Sequence, residues 1–117
     1  MGSIATTLAE LSALLDEYGF DHHAGHLRYL ADIYEKEDVQ RFREEVNDPS
    51  MWGGAGAMWD AGPRDGRFSD LERANADHIR FRELIIRLVD ELAEQDLASE
   101  EARSIADTFR TWNEMGL

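Results

Sequence analysis

The chain has 117 residues and no cysteine, and its 25 Asp and Glu against 12 Lys and Arg give a net charge of −13. This length suits one domain with a single hydrophobic core, and the absence of cysteine excludes disulfides, thiolate metal sites and a cysteine nucleophile. The negative field disfavours nucleic acid and anionic membranes and favours a basic partner, although solubility alone also accounts for it.

Nothing in the sequence indicates a membrane span or a secretory signal. It has no apolar run near the roughly 18 residues that a transmembrane helix needs, and its start lacks a basic region followed by an apolar stretch. We therefore expect a cytoplasmic protein that folds as one domain over residues 1–117, with no membrane partner.

The first third of the chain has apolar residues at helical spacing. One amphipathic helix is predicted over residues 4–18, and Gly19 fits the position just past its end. Asp21 is a favourable N-cap for a second helix over residues 21–35. The short connection predicts a helical hairpin.

A third helix and a long loop should follow. Asp38 can cap a helix over residues 38–47, which ends before Pro49 because the residue preceding a proline avoids the α conformation. Residues 48–68 then lack clear periodicity and are rich in glycine and turn residues. A loop of that length is uncommon in a compact domain unless it is functional.

The last part of the chain predicts two more helices. Ser69 and Glu72 have the spacing of a capping box before a long helix over residues 70–94, and Ser99 opens a final helix over residues 99–115. No β-type alternation is visible. The predicted fold is all-α, a bundle of four to five antiparallel helices with a long Gly/Trp-rich central loop.

Two tryptophans, Trp52 and Trp59, bracket three glycines in the middle of this loop. Tryptophans bury well and keep one N–H group that needs an acceptor, so anchoring in the core is the favoured interpretation. Exposure as interface hot spots is the alternative, because tryptophan is enriched there. Trp112 is predicted to lie in the core, on the apolar face of the last helix.

Four histidines invite a chemical interpretation. His22 and His26 are four residues apart, the helical spacing of two metal-binding imidazoles, and Asp21 could supply a third ligand. Packing or surface roles are favoured for both and for His23, so no metal site is predicted. His78 lies on an apolar helical stripe, where a buried or boundary histidine with one hydrogen bond is more common than a general acid or base.

The glycine-rich loop does not resemble a phosphate-binding loop, since it lacks the G-K-[ST] ending and follows no strand. No cofactor is predicted. A local group of arginines flanks the loop and either pairs with the acidic helices or orients a partner that carries a carboxylate; its members are Arg64, Arg67, Arg73, Arg80 and Arg82.

A family resemblance rests on the loop and the segments before it. They read Trp52-Gly53-Gly54-Ala55-Gly56-Ala57-Met58-Trp59-Asp60, Leu14-Leu15-Asp16-Glu17-Tyr18-Gly19 and the Ala24-x-x-Leu27 step. The arrangement resembles small acidic all-α bacterial proteins with a G-G-x-G-[SA] loop before a long helix, some of which look like immunity proteins of toxin systems. The likeness covers about residues 8–92. The flanking tryptophans depart from the Met or Ala usual in the family, which supplies no site residues to carry over.

Charge and resemblance together favour a non-enzymatic protein-binding module, an immunity protein that neutralises a basic toxin domain by direct occlusion. The predicted partner-binding residues are Asp16, Glu17, Asp32, Glu35, Trp52, Trp59 and Asp60. The alternatives are a metal-dependent hydrolytic enzyme that uses His22 and His26, and a helical homodimeric adaptor. The oligomeric state stays open.

Overall fold

The apolar periodicity of the sequence produces six α-helices and no β-strand over residues 4–117, the part of the chain that this computed structural model describes. The all-α prediction is confirmed; the first three residues of the predicted domain lie outside the described range. The helices are α1 (Ile4–Glu17), α2 (Asp21–Glu35), α3 (Val39–Val46), α4 (Pro49–Trp52), α5 (Leu71–Glu94) and α6 (Glu100–Glu114).

Helix α1 lies between α2 and α5 and runs antiparallel to both. A three-residue turn joins α1 to α2, and the Ser12 hydroxyl donates to the Ala24 carbonyl at 2.9 Å. Against α5, Thr7 near the start of α1 accepts a hydrogen bond from Arg87 at 2.9 Å, whereas Tyr18 beyond its end donates to Asp77 at 2.5 Å. The early part of α1 therefore meets the late part of α5.

The core consists of the apolar faces of these helices, closed on one side by α6. Leucines of α1 and α2 and aliphatic residues of α5 are fully buried, and each contributes about 1.5–3 kcal/mol relative to an exposed position. Trp112 was predicted to lie in this core, and that prediction is wrong. Its side chain is 36% exposed near the end of α6, where no other helix covers the outer face.

Two predicted helix starts are correct. The Asp38 carboxylate accepts the Arg41 backbone N–H at 3.2 Å, and the Ser99 hydroxyl accepts that of Ala102 at 3.2 Å. Both bonds satisfy an amide that has no partner within its own helix.

The other two predicted caps are wrong by one residue. Asp70, not Ser69, is the N-cap of α5, and its carboxylate accepts the Arg73 N–H at 3.1 Å. Helix α2 begins after Phe20, which makes Asp21 its first helical residue. There the negative charge of Asp21 stabilises the positive end of the helix dipole without a capping bond.

The central segment, residues 48–68, is more ordered than the predicted loop. It contains the short helix α4 and two 3-10 turns, Met58–Asp60 and Pro63–Asp65. Asp48 caps α4 by accepting the Ser50 N–H at 3.3 Å, and Pro49 takes the first helical position, where its missing N–H costs nothing.

Both tryptophans fasten the central segment to itself and to the bundle. The Trp52 indole donates to the Val46 carbonyl at 2.8 Å, and the Trp59 indole donates to the Gly53 carbonyl at 2.7 Å. Trp52 is only 5% exposed, as the core interpretation predicted. Burial of the ring favours core anchoring over exposure as an interface hot spot, and a contact of Trp52 with a partner stays a prediction.

The rest of the central segment is attached to three helices. The Gly56 carbonyl lies 3.0 Å from His23 Nε2 on α2, and the Arg64 N–H donates to His78 Nδ1 on α5 at 3.1 Å. The Arg67 N–H donates to the Tyr18 carbonyl, just past α1, at 2.9 Å. These bonds hold the segment closely against the bundle.

Candidate functional site

An open groove of about 590 Å³ lies where the turn between α2 and α3 faces the connection between α5 and α6. Its walls come from parts of the chain that are far apart in sequence. The lining residues are Ala5, Tyr34, Glu35, Glu37, Asp38, Val39, Phe42, Gln95 and Leu97.

The floor of the groove is apolar. The rings of Tyr34 and Phe42 lie 5.0 Å apart between centroids, and Leu97 is buried beside them. Val39 is 58% exposed although it starts α3 on the apolar stripe. Such a side chain gains free energy when another apolar surface covers it.

The rim of the groove is acidic and uncompensated. Glu35, Glu37 and Asp38 are exposed and follow one another around the α2–α3 turn. The lysine among them, Lys36, pairs with Asp32 at 2.9 Å, and none of the ion pairs within residues 4–117 involves the three rim acids. The groove therefore combines an apolar floor with a concentration of free negative charge.

Both turns beside the groove hold a residue in a left-handed backbone conformation. Glu37 has φ +60° just past α2, and Asp96 has φ +58° just past α5; they are the two non-glycine residues with positive φ in the described chain. Glycine is the usual residue at this position after a helix, because a side chain there costs free energy. In this protein both positions are instead occupied by residues with a carboxylate side chain.

The predicted partner-binding acids do not converge on one surface. Glu35 lines the groove and Asp32 lies one turn before it. Asp16 and Glu17 lie at the opposite end of the α1–α2 hairpin, and Glu17 pairs with Arg73. From the rise per residue of an α-helix, the two ends are about 20 Å apart. Because both ends of the hairpin are acidic, charge alone could not predict which end forms the binding surface.

The remaining predicted contacts lie on the central segment, away from the groove. Trp59 is half-buried against Phe109 of α6, with ring centroids 6.3 Å apart. Asp60 is exposed, and its carboxylate accepts the Gly56 N–H at 3.1 Å. Sequence reasoning missed Val39, Gln95 and Leu97 as groove residues, because the α5–α6 connection that completes the site carries no distinctive pattern.

The histidines of α2 do not form a metal site in residues 4–117, where no group of three or more potential ligands comes together. The His22 and His23 rings meet edge to face at 5.6 Å, and His23 contacts the Gly56 carbonyl. This geometry gives no support to the hydrolytic alternative built on His22 and His26.

His78 has the structural role predicted for it. It is half-buried, and its Nδ1 accepts the Arg64 backbone N–H. Burial, and then the positive charges of Arg82 and Arg64, lower the pKa of His78 to about 4. The ring is therefore neutral near pH 7 and acts as a fixed acceptor for the central segment.

Comparison with known proteins adds no assignment, because no family model, curated protein or solved structure matches this chain. Its likeness to immunity-type proteins therefore stays a prediction. Over residues 4–117, the structure holds no helix with the length and apolarity needed to cross a membrane.

Proposed function

We propose that this chain is a non-enzymatic protein-binding module that takes a basic protein into the groove between α2, α3 and the α5–α6 connection. The observation that carries the proposal is the pairing of an apolar floor with three rim carboxylates that have no cationic partner. In this proposal the partner is a toxin domain, and the chain is an immunity protein that occludes it in the bacterial cytoplasm.

The charge balance of the molecule supports a cationic partner. Six of its 25 carboxylates pair with a lysine or arginine within the described range. A partner with lysines or arginines around an apolar side chain would neutralise the rim while the side chain fills the floor. Long-range attraction would speed association, and the buried contact would slow release.

The test is coexpression with the product of the adjacent gene, read out as growth and as a purified complex. We expect rescue of growth and a complex whose association slows as salt is raised, because exposed charges are screened. A triple variant, Glu35→Gln with Glu37→Gln and Asp38→Asn, should weaken both. Asparagine at position 38 keeps an N-cap side chain, so α3 should be retained.

A charge-matched control distinguishes the effect of the groove carboxylates on binding from the effect of the overall negative charge. Glu83→Gln with Glu72→Gln and Glu114→Gln removes three exposed charges, none of them in an ion pair, from elsewhere on the surface. It should slow association slightly and leave dissociation unchanged. Absence of both complex and rescue would reject the immunity-type function, and equal loss in the two triple variants would reject the groove.

A further inference from the structure

Arg82 is a buried cation without a carboxylate partner. It lies on α5, is 5% exposed, and forms no ion pair with any residue of the range 4–117, although the chain has more than twice as many acids as bases. A buried charge is costly unless it is paired and fully hydrogen-bonded. The position therefore needs a physical explanation.

The protein satisfies this guanidinium only in part. Its central carbon lies 5.1 Å from the ring centroid of Trp112 and 5.8 Å from that of Phe109, which are cation–π contacts. Nη1 donates to the Asn113 side chain at a long 3.4 Å, and the buried Nε has no acceptor. The aromatic contacts hold the plane of the guanidinium and leave much of its hydrogen-bonding edge unused.

A second arginine adds to the positive charge at this place. Arg64 donates through Nε to Asn75 at 2.9 Å and through Nη1 to the Leu117 carbonyl at 2.8 Å, and its backbone N–H donates to the neutral His78 ring. Burial and the charge of Arg64 both lower the pKa of Arg82. Two positive charges therefore lie near each other on this side of α5.

Exposed apolar side chains also lie on α5 and at the end of α6, the two helices that meet here. Trp112 and Met115 lie on and just past the last turn of α6, and Ile79 lies one turn before Arg82 on α5. A ligand that approaches the guanidinium therefore meets an apolar surface on its way. This arrangement favours an anion attached to a hydrophobic group over a free inorganic ion.

We propose that Arg82 anchors a binding site for a carboxylate carried on an apolar group, with Trp112 as one wall. The carboxylate accepts N–H groups of Arg82 that lack a protein acceptor, since its two oxygens match the planar guanidinium fork. The field of the acidic chain disfavours a phosphate dianion more than a single negative charge. The site is separate from the groove and does not depend on the proposed function.

Benzoate is the probe, and benzamide is its uncharged counterpart of nearly equal shape. NMR of the arginine Nε–Hε groups follows the guanidinium directly. We expect the Arg82 signal to shift saturably with benzoate, little with benzamide, and less with inorganic phosphate than with benzoate. Equal shifts with benzoate and benzamide would overturn the site, and tighter binding of phosphate would overturn the ligand class.

Variants test whether the affinity comes from Arg82. Arg82→Met keeps an unbranched side chain and should weaken benzoate binding at least about tenfold, or ~1.4 kcal/mol, whereas Arg80→Met on the exposed face should not change it. Arg82→Lys retains charge without the fork and should bind at an intermediate level. Unchanged affinity in a folded Arg82→Met or Arg82→Lys protein would contradict the proposal.

The carboxylate can come from a free acid or from the C-terminus of a peptide. A short peptide that ends in phenylalanine, compared with the same peptide amidated, distinguishes the sources. Competition with benzoate by the free-acid peptide alone would identify a peptide C-terminus as a ligand. Failure of both peptides, with benzoate still bound through Arg82, would assign the site to small carboxylic acids.

Discussion

Gly62 packs so closely against His78 that a Cβ atom at position 62 would lie 2.0 Å from the ring carbon Cε1. The contact fixes the central segment on α5 at the point where the His78 ring accepts the Arg64 N–H. Glycine is therefore required at position 62 by a neighbouring side chain, with no unusual φ involved.

Gly62→Ala should destabilise the protein by about 1–3 kcal/mol, because the ring or the backbone must move to admit the methyl group. Urea unfolding measures the change. Gly54→Ala is the matched control, since a Cβ there meets nothing within 4 Å. If both variants unfold at the same urea concentration, the close packing at Gly62 is not what holds the segment.

Stability should fall as the pH drops from about 6.5 to about 4. The pKa of His78 in the folded protein, about 4, lies below its unfolded value of 6.5, so the unfolded chain binds the proton first. The stability gained from the neutral ring is present above pH 6.5 and is lost toward pH 4. Its size is up to about 3 kcal/mol, reduced by solvent screening of the half-buried ring.

His78→Asn isolates this contribution, because the amide oxygen can still accept the Arg64 N–H but does not titrate in this range. Chemical denaturation of both proteins at several pH values gives the comparison. We expect the two stabilities to converge as the pH falls from 6.5 to 4. Parallel curves would assign the pH dependence to other groups, such as His23, whose pKa burial also lowers.

Replacing either left-handed carboxylate residue by glycine should stabilise the fold. Relief of the positive φ is worth about 1–2 kcal/mol, and the added freedom of the unfolded chain offsets part of it, which leaves a gain of about 0.5–1 kcal/mol. Glu37→Gly and Asp96→Gly should behave alike in thermal unfolding. They should differ in partner binding, since only Glu37 lines the groove. Equal effects on binding would argue against a groove-centred interface.

Tyr18 should make the protein sensitive to alkali. Burial, followed by its hydrogen bond and electrostatic repulsion with Asp77, raises the pKa of its hydroxyl from 10 to about 12. The unfolded chain therefore loses this proton first, and the contribution to stability is lost as the pH rises from 10 to 12. Tyr18→Phe should cost about 1 kcal/mol at pH 7 from the lost hydrogen bond. The same substitution should also make the free energy of unfolding less dependent on pH above pH 10. An unchanged pH dependence would contradict the assignment of this effect to Tyr18.

The fold class could be predicted because helical periodicity is a local property of the chain. The bounds of α2 and α5 lie within one residue of the predicted ones. Periodicity does not say which neighbour covers a given face. Val39 and Trp112 both continue an apolar stripe, yet both side chains are exposed because neighbouring helices do not fully cover them. Capping preferences likewise could not choose between the adjacent residues Ser69 and Asp70, since both side chains suit the position.

The candidate site was harder to predict, because it depends on contacts between distant parts of the chain. The hydrogen bond from the Gln95 amide to the Tyr34 hydroxyl, at 2.9 Å, joins residues separated by 61 positions. In the sequence, the acidic residues that follow Tyr34 lie where the second predicted helix ends and the third begins, and no pattern there indicates a groove. Total charge showed that acids were in excess, but the antiparallel hairpin decided that Asp16 and Glu35 lie at opposite ends of it.

The glycine-rich part of the central segment also has a practical use. Gly54 and Ala55 are exposed, and no neighbouring atom would obstruct a Cβ at position 54, whereas the residues on either side are tied down through the indoles of Trp52 and Trp59. Exposed tips with firmly held bases tolerate inserted sequence. An epitope tag or a small fluorescent label at this tip would report on the intact chain in living cells while leaving both proposed binding surfaces unobstructed.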